Sequence, residues 1–439
     1  MDDLRHLVEG LKELDTDTSK CMRCGFCQNY CPMYGETQRE FDVSRGKIVL
    51  LTNMADKLLD DAPGLAYRLD RCLLCGSCQI NCPSATPTVN IFLKARALVA
   101  EYMGLSPLKK LIFRTLLPNP KGFDLALKIG STCQGLVFRK VRDSIQNSVE
   151  APLLTALIGD RHLQPLPARS LHETHRDLDT PAGESGLKVV LYPGCAADRL
   201  YPKVGEACIA ALKHHGVGIA MPADFACCGL PSLASGDTRG FEKQVRQNLA
   251  LLTNTRYDYL LTPCGSCTAT IKERWPELGA FTPAEREQIR GIAGKALDIN
   301  AFLVDVLKVQ PVTPADNAVA VTYHDPCHLK KSLHVDKQPR DVIQANPGYR
   351  LKEMSESDRC CGCGGSFNLI HYDYSKQIGK KKRDMIVDTG APVVATSCPA
   401  CMMQLNDILS REGDKVKVKH SIELYADSLH ASAAHAENG

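Results

Sequence analysis

Eight cysteines fall into two short runs with the same spacing. Each run has the pattern C-x2-C-x2-C-x3-C-P, once in CMRCGFCQNYCP and once in CLLCGSCQINCP. In this pattern a tight loop brings three thiolates to one iron-sulfur cubane, and the cysteine before proline ligates the other cluster. The pattern therefore predicts two 4Fe-4S clusters with crossed ligand sets. The first set is Cys21, Cys24, Cys27 and Cys82, and the second set is Cys72, Cys75, Cys78 and Cys31.

Zinc knuckles are the alternative interpretation of these runs, but a structural zinc usually draws its four thiolates from two CxxC pairs. The doubled spacing and the trailing proline do not fit that arrangement. Gly25 and Gly76 fall where the backbone must pass close to inorganic sulfide. The residues between the runs, including SRGKIVLLTNMADKLL, have a helical pattern. We therefore expect an α-helical ferredoxin-type domain at residues 1–102.

Ten further cysteines form an internal repeat. Each copy has a lone cysteine, a Cys-Cys-Gly (CCG) triplet and a CxxC pair, and corresponding cysteines lie about 133 residues apart. This is a duplicated module, which we place at 187–312 and 313–429, ahead of a flexible tail at 430–439. The cysteines are Cys195, Cys227, Cys228, Cys264 and Cys267 in the first module, and Cys327, Cys360, Cys361, Cys398 and Cys401 in the second.

The stretches before these cysteines have the pattern of short apolar strands. KVVLYPGC and AVAVTYHDPC run into the lone cysteines, and YDYLLTPCGSC and APVVATSCPAC run into the CxxC pairs. Alternation of such strands with helices predicts a parallel sheet, whose ligands gather at the carboxyl ends of the strands. The fold class is therefore α+β multidomain, with a helical ferredoxin domain followed by two α/β modules, and the five cysteines of each module should converge.

Five thiolates exceed the four that one zinc ion or one cubane takes. Either one cysteine in each module is spare, or each module holds a distorted cluster with a bridging thiolate. A structural site with unligated buried thiols is the third alternative. In HDPCHL, the residues His324, Asp325 and His328 could move protons near a redox site; equally, they could donate hydrogen bonds or cap a helix.

The composition favours metal ligation over disulfides. The chain has 439 residues, of which 21 are cysteines, 44% are hydrophobic and 23% are charged. Disulfide-dense chains are small and secreted, and the N-terminus lacks the features of a signal peptide, so we expect a cytoplasmic protein. A net charge of +3 gives no support for nucleic-acid binding. Cys133, Cys208 and Cys363 fit neither pattern and are expected to be small hydrophobic residues.

Residues 103–186 are expected to form a helical, basic linker. The basic residues stand among leucines, phenylalanines and prolines. They could form an amphipathic surface that rests on anionic lipid or on an acidic partner, or they could belong to a solvated linker that packs on its neighbours. They are Lys109, Lys110, Arg114, Lys121, Lys128, Arg139, Lys140 and Arg142.

The two C-x2-C-x2-C-x3-C-P runs followed by two CCG modules resemble the iron-sulfur subunits of glycolate oxidase and D-lactate dehydrogenase. The layout is also similar to a fusion of the ferredoxin and CCG subunits of heterodisulfide reductase, and to the corresponding iron-sulfur subunit of anaerobic glycerol-3-phosphate dehydrogenase. The resemblance covers the chain outside 103–186 and the tail. It implies one or two further, non-cubane 4Fe-4S clusters at the five cysteine positions of the modules.

The resemblance also implies a function. The chain would be the electron-transfer subunit of a flavin-dependent 2-hydroxy-acid (glycolate or D-lactate) dehydrogenase, either free in the cytoplasm or peripheral at the inner face of the membrane. The partner would carry FAD and the acceptor would be quinone or another carrier, because the chain has no G-x-G-x-x-G after a strand and no phosphate loop. The alternatives are a heterodisulfide-reductase-like protein with catalytic clusters, and a scaffold whose CCG modules hold zinc.

Overall fold

An α-helical N-terminal domain precedes two parallel β-sheets in the computed structural model, which describes residues 2–142, 144–152, 155 and 159–436. Two short 3-10 segments, Phe26–Gln28 and Glu40–Asp42, interrupt the helices of this domain. The α-helices are Asp2–Lys12, Asp15–Thr18, Pro32–Thr37, Ser44–Ala55, Ala62–Asp70, Ser77–Ile80 and Thr88–Met103.

The helix that begins at Ser44 ends at Ala55, four residues before the end of the predicted helical pattern. Its apolar face is buried against helices Asp2–Lys12 and Ala62–Asp70. Leu58 and Leu59 are exposed and find no place in this core, so continued helix would bury nothing more.

A buried ion pair fixes the start of the second cysteine run. The Arg71 guanidinium donates to both carboxylate oxygens of Asp42, at 2.7 and 2.8 Å, and neither side chain is open to solvent. The two parallel hydrogen bonds hold Arg71, and therefore the adjoining Cys72, in one orientation. Removal of either partner would leave an uncompensated buried charge.

The segment 103–186 is mainly helical as far as Val137, and short strands follow before its last helix. Helix Pro107–Leu111, a π-helical turn at Ile112–Leu116 and helix Pro120–Val137 lead into a three-stranded antiparallel sheet. The expectation of a helical linker therefore differs from the structure in its second half, where three short strands form and the last of them packs against helix Pro399–Arg411 of the second module. The strands are β1 (Arg139–Lys140), β2 (Val149–Glu150) and β3 (His162–Leu163), followed by helix Leu171–Thr174.

The first module is a four-stranded parallel sheet with helices between its strands. The strands are β4 (Lys188–Leu191), β5 (Gly218–Ala220), β6 (Tyr259–Thr262) and β7 (Ala296–Asp298). The helices are Gly194–Arg199, Pro202–His214, Leu230–Ala234, Thr238–Thr253, Gly265–Ala269, Trp275–Glu277, Pro283–Lys295 and Ile299–Ala301, with π-helical turns at Thr270–Arg274 and Phe302–Val306.

The second module repeats this architecture. Its strands are β8 (Val319–His324), β9 (Tyr349–Leu351), β10 (Val393–Thr396) and β11 (Lys417–His420). Its helices are Cys327–Lys331, Lys337–Gln344, Ser366–Ile370, Tyr372–Val387, Pro399–Arg411 and Ser421–Ala436. The last helix enters the predicted tail, of which residues 437–439 lie outside the described part of the chain.

Both sheets have the same strand order. The first runs β5-β4-β6-β7 and the second runs β9-β8-β10-β11, with every pair parallel. The four predicted strands are β4, β6, β8 and β10, the two central strands of each sheet. Because the sheets are parallel, the loops after these strands lie at one edge of each sheet. The predicted fold class is confirmed.

The two modules face each other in matching ways. The second helix after the first strand of each module packs on the final helical segment of the other, Pro202–His214 on Ser421–Ala436 and Lys337–Gln344 on Phe302–Val306. Between the strand ends, the Gly265 N–H donates to the Ser397 carbonyl at 3.2 Å. The cysteine edges of both sheets therefore meet in the middle of the molecule.

No helix in the described part of the chain is long and apolar enough to cross a membrane.

A four-residue ionic network joins the linker to the first module. The two ring nitrogens of His172 lie 2.8 Å from an Asp198 oxygen and 2.9 Å from an Asp124 oxygen, and Arg199 pairs with both carboxylates. Burial opposes the charged ring, but the hydrogen bonds and charges of the two carboxylates outweigh it and raise the pKa of His172 to about 9. Since both nitrogens face carboxylates, both donate, and the ring is an imidazolium.

His172→Gln tests this network through the pH dependence of stability. A pKa raised in the folded state contributes stability that is fully present below the unfolded pKa of about 6.5 and is lost as pH rises through about 9. At pH 6 we expect the variant to lose roughly 1 to 2 kcal/mol of unfolding free energy, allowing for partial solvent screening. At pH 10 the difference should shrink below about 0.5 kcal/mol.

Urea titrations at the two pH values measure the effect. His6→Gln, at an exposed position, is the matched control and should leave both midpoints unchanged. An equal loss at pH 6 and pH 10 would contradict a charged His172.

Candidate metal centres

The first cysteine set lines one cavity in the N-terminal domain, here named the first ferredoxin cavity. Cys21, Cys24 and Cys27 come from the first run, and Cys82 reaches it from the second. These four thiols match the donor set that a 4Fe-4S cubane requires.

The second cysteine set lines the neighbouring second ferredoxin cavity. Cys72, Cys75 and Cys78 of the second run meet Cys31 of the first run there. Cys78 lies on the wall of both cavities. The structure thus brings the cysteines together in the two crossed sets, side by side.

The two loops share an unusual backbone conformation. Arg23 and Gly25 in the first loop have φ of 57° and 84°, and Leu74 and Gly76 in the second have 54° and 70°. Left-handed residues on both sides of a cysteine turn successive N–H groups toward one side, which forms a concavity that favours anions. The cost of left-handed backbone at Arg23 and Leu74, roughly 1 kcal/mol each, indicates that the loops are shaped for an anionic group such as a thiolate-bound cluster.

All ten module cysteines line a single central cavity between the two sheets, which encloses about 170 Å³. Cys264 of the first module and Cys398 of the second approach each other across it, with sulfurs 3.9 Å apart. The predicted convergence within each module therefore extends to convergence between them. Cys75 and Cys363 also reach this cavity, whereas Cys208 is buried in the core of the first module.

Helix N-termini surround the central cavity. Cys264 and Cys398 occupy the N-cap positions of the helices after β6 and β10, and Cys267 and Cys401 lie in their first turns. The N–H groups and the positive end of the helix dipole favour negative charge there. The site can therefore stabilise the net negative charge of thiolate-bound clusters.

The two CCG triplets adopt the same turn. Gly229 has φ of +94° and Gly362 has φ of +93°, a region that favours glycine. In the first module the turn is held by Asn248, which bonds the Ala226 N–H at 2.9 Å and the Cys227 carbonyl at 3.1 Å. In the second, Ser375 donates to the Gly362 carbonyl at 2.8 Å.

Crowding perturbs the ionisation of these thiols. Burial raises the pKa of Cys31 to about 12. In the central cavity, hydrogen bonds from neighbouring sulfurs lower the pKa of Cys361 and of Cys398. Ligation requires thiolates, and so many thiolates in one buried volume require positive charge among them, as iron would supply.

Buried cations lie beside the cysteines, and the sequence pattern does not reveal them. Lys47 and Lys382 are almost wholly buried; Lys47 lies beside the second ferredoxin cavity, and Lys382 donates to the Glu356 carbonyl at 2.7 Å, just before the second CCG triplet. Burial lowers the pKa of Lys382 to about 8, against the opposing charges of Cys361 and its neighbours. A lysine in a predicted helix is ordinarily exposed, so the sequence does not indicate that Lys47 and Lys382 are buried beside cysteines.

Lys331 and His328 join the N-terminal domain to the second module. Lys331 donates to the Ser77 hydroxyl at 2.6 Å, and burial opposes its charge, but the charges of Cys327 and Cys75 raise its pKa. The His328 ring lies 3.2 Å from the Leu74 carbonyl and 3.0 Å from the Ser266 hydroxyl. Since a carbonyl only accepts, the ring nitrogen facing Leu74 donates. The second ferredoxin loop is therefore docked directly on the central cavity.

Asp325 and His324 lie in different surroundings. Asp325 forms a nearly buried ion pair with Arg340, at 2.8 and 3.0 Å, so it braces the loop before Cys327. His324 is fully buried, and its ring lies within 4.8 Å of the sulfurs of Cys361 and Cys401. Neither of its ring nitrogens has a hydrogen-bond partner among the described residues.

The first module has a tyrosine at the position equivalent to His324. Tyr192 also stands three residues before the lone cysteine, and its hydroxyl donates to the Ala226 carbonyl at 2.7 Å. The two modules therefore differ in the group that faces their cysteines: a satisfied phenol in the first and, among the described residues, an unpartnered imidazole in the second.

Gly362→Ala tests the shape of the CCG turn. An added Cβ would lie 2.6 Å from the Ser375 carbonyl oxygen and 3.2 Å from the Gly379 nitrogen. We expect the variant to lose roughly 2 to 4 kcal/mol of unfolding free energy, because steric overlap adds to the strain of a left-handed backbone. Thermal unfolding measures the loss.

Gly390→Ala is the matched control, because Gly390 has φ of +67° but open space around a Cβ. This variant should lose only about 1 kcal/mol of unfolding free energy, which is the strain of a left-handed alanine. Equal losses in the two variants would show that the packing around Gly362 is not the constraint.

Comparison with known families agrees with the geometry. Residues 17–86 match the family described as 4Fe-4S dicluster domain. Residues 189–272 and 321–406 each match the family described as Cysteine-rich domain. The matched segments contain all eighteen cysteines of the predicted sets.

Curated relatives include iron-sulfur proteins of bacteria and archaea. The probable glycolate oxidase iron-sulfur subunit of Bacillus subtilis is 28% identical over 427 residues, which cover 94% of each chain. Lactate utilization protein A of Halalkalibacterium halodurans is 32% identical over 54% of this chain and 96% of its own. A fumarate reductase (CoM/CoB) subunit of Methanothermobacter marburgensis is 33% identical over 54% of this chain and 46% of that longer protein.

Among solved structures, a hypothetical protein from Helicobacter pylori has a similar fold, with a TM-score of 0.51 and 10% identity over 97% of this chain and 76% of its own. The order of domains, the full-length match and the cysteine sets lead to one assignment. The chain belongs to the family of cysteine-rich CCG proteins that includes lactate utilization protein A. It is a glycolate oxidase iron-sulfur subunit-like protein, in which a 4Fe-4S dicluster domain is followed by two CCG domains, and it is related to the fumarate reductase (CoM/CoB) subunit.

Proposed function

We propose that this chain relays electrons from a partner flavoprotein that oxidises a 2-hydroxy acid, glycolate or D-lactate, to quinone or another carrier. The names of the glycolate oxidase and lactate utilization relatives support this substrate class. The partner carries FAD and removes the hydride, and this chain accepts the electrons one at a time, as iron-sulfur clusters do.

The observation that carries the proposal is the continuity of the cysteine cavities. The first and second ferredoxin cavities share Cys78. The second shares Cys75 with the central cavity, where Cys264 and Cys398 bring the two modules within 3.9 Å. Each set of thiols therefore adjoins the next. This geometry supports an electron path through all four sets, in the order first cubane, second cubane, second module, first module.

The ligand assignments are part of the proposal. Cys21, Cys24, Cys27 and Cys82 would hold one cubane, and Cys72, Cys75, Cys78 and Cys31 the other. The five cysteines of each module would hold one non-cubane 4Fe-4S cluster. The crossed cavities, the left-handed loops and the helix N-termini support these assignments.

The location of flavin on a partner has structural support in the strand ends. Doubly wound folds bind dinucleotides in loops at the carboxyl ends of parallel strands. In both modules these loops carry the cysteines that line the central cavity, after β4, β6, β8 and β10. The loops where a nucleotide would bind are therefore occupied by cysteines. Association at the inner face of the membrane, where quinone is available, completes the proposal.

The test is reduction of the native complex, purified anaerobically, by glycolate or D-lactate. We expect a flavoprotein to co-purify and one of the two acids to bleach the visible iron-sulfur absorbance. Cys360→Ala should reduce the bleached amplitude by about half or more, because the second-module cluster is lost and the clusters beyond it in the path no longer receive electrons. Cys208→Ala, which removes a buried cysteine outside all three cavities, is the control and should bleach like the wild type.

Absence of any flavoprotein, or bleaching by neither acid, would contradict the relay. The central cavity, bounded by both sets of module cysteines, favours disulfide reduction at the clusters as the second candidate. Turnover of a disulfide with a reduced dye and without a flavoprotein would support that candidate instead.

A further inference from the structure

The loop of the first cysteine run lies open at the surface of the N-terminal domain. Met22 and Phe26 line the first ferredoxin cavity and are 65% and 47% exposed. Cys24, which lies between them in the sequence, is the one exposed cysteine of the described chain. A partner protein can therefore contact the set of thiols at which the proposed electron path begins.

The exposed apolar area extends beyond this loop. Ile80 is 47% exposed, and its helix, Ser77–Ile80, packs against the 3-10 segment Phe26–Gln28. The ring centroids of Phe26 and Tyr30 are 5.5 Å apart, and Tyr30 is 40% exposed. Grouped apolar side chains at a surface mark protein-binding sites, in which methionine and aromatic residues are enriched. The first-loop surface, as we name it, consists of Met22, Phe26, Tyr30 and Ile80.

The second cysteine run contains the equivalent loop, and there the same face is covered. Leu73 is the equivalent of Met22, and Leu74 is the equivalent of Arg23. Both leucines are only 5% exposed, because they lie between the second ferredoxin cavity and the central cavity and line both. The face of the second loop is thus covered by the modules that follow it in the proposed path.

The residue after the loop glycine shows the same contrast. Ser77, the equivalent of Phe26, is 6% exposed and accepts a hydrogen bond from Lys331 of the second module at 2.6 Å. In the described part of the chain, nothing covers Phe26 in this way. Since one loop of the pair docks on a redox module, the exposed apolar face of the other loop indicates a second redox partner, from outside this chain.

Arg23 places a positive charge at the edge of the first-loop surface. It is exposed and lines the first ferredoxin cavity. The other arginine on the wall of that cavity, Arg45, is paired with Glu40 at 2.6 Å. Protein interfaces combine an apolar centre with a polar rim, and a cation on the rim favours a partner with negative charge opposite it. The surface therefore fits a protein that presents apolar side chains beside a carboxylate.

We propose that the first-loop surface is the docking site of the partner flavoprotein, with Met22 and Phe26 at the centre of the interface and Arg23 facing a carboxylate of the partner. This inference rests on the proposed relay and names where its electrons enter. The flavoprotein would contact the first ferredoxin loop as the modules contact the second. The entry then lies at the start of the path, and the first module, at the other end, is left to the acceptor.

The test separates the chain from the FAD-containing protein that co-purifies with it and measures their rebinding by calorimetry, under anaerobic conditions. We expect Met22→Ser and Phe26→Ser each to weaken binding about tenfold or more, as for residues at the centre of an interface. Serine stands at the equivalent of Phe26 in the second loop, so iron content should be unchanged. Leu58→Ser is the matched control, at a side chain that is 73% exposed beyond the far end of helix Ser44–Ala55, and it should bind like the wild type.

Three outcomes would overturn the docking site. Equally tight binding by the wild type and both serine variants would place the flavoprotein elsewhere and leave the relay intact. Failure of any FAD-containing protein to co-purify would overturn the relay and the docking site together, so the two failures are distinguishable. A wild-type chain that sediments as a dimer, with Met22→Ser and Phe26→Ser variants that sediment as monomers, would assign the surface to a second copy of the chain.

Discussion

The structure depends on one electrostatic constraint: eighteen thiols, most of them partly or fully buried, are packed into three adjoining cavities. Thiolates so close together in a low-dielectric interior repel one another and lose hydration. Bound iron would supply the main compensating charge, and the chain would supply the rest, through helix N-termini, left-handed N–H groups and buried lysines such as Lys47, Lys331 and Lys382. The three lysines also hold nearby loops through hydrogen bonds to the Asp42, Asp358 and Glu356 carbonyls. The apolar cores hold them there.

The two copies of the duplicated module together form the central cavity. Each module presents cysteines at the ends of two parallel strands, and the modules face each other so that the four strand ends surround one volume. The N-terminal domain then closes one side of that volume with the loop that carries Leu74 and Cys75. The copies have diverged where their chemistry can differ: Tyr192 is satisfied by a backbone carbonyl, whereas His324 keeps both ring nitrogens free of hydrogen bonds within the described chain. The two module sites are therefore related but not equivalent.

The sequence predicts the parts of this molecule that repeat or follow local rules. The strands before Cys195 and Cys327 and the helical N-terminal domain follow from spacing and periodicity, and the helical pattern around Ser44 fails only at its end. Contacts between distant segments are different: neither the docking of Leu74 beside His328 nor the burial of Lys382 leaves a pattern in the chain. The sheet β1-β2-β3 was missed because its strands have two residues each and are stabilised by the second module.

The proposed relay requires that all four cysteine sets carry iron-sulfur clusters. The content of iron, acid-labile sulfide and zinc per chain, determined on anaerobically purified protein, distinguishes this arrangement from clusters in the N-terminal domain alone. We expect about sixteen irons with a matching amount of sulfide, four for each cluster, and no zinc. About eight irons, with or without zinc, would confine the clusters to the N-terminal domain, make the CCG modules a structural body and contradict the relay through the central cavity.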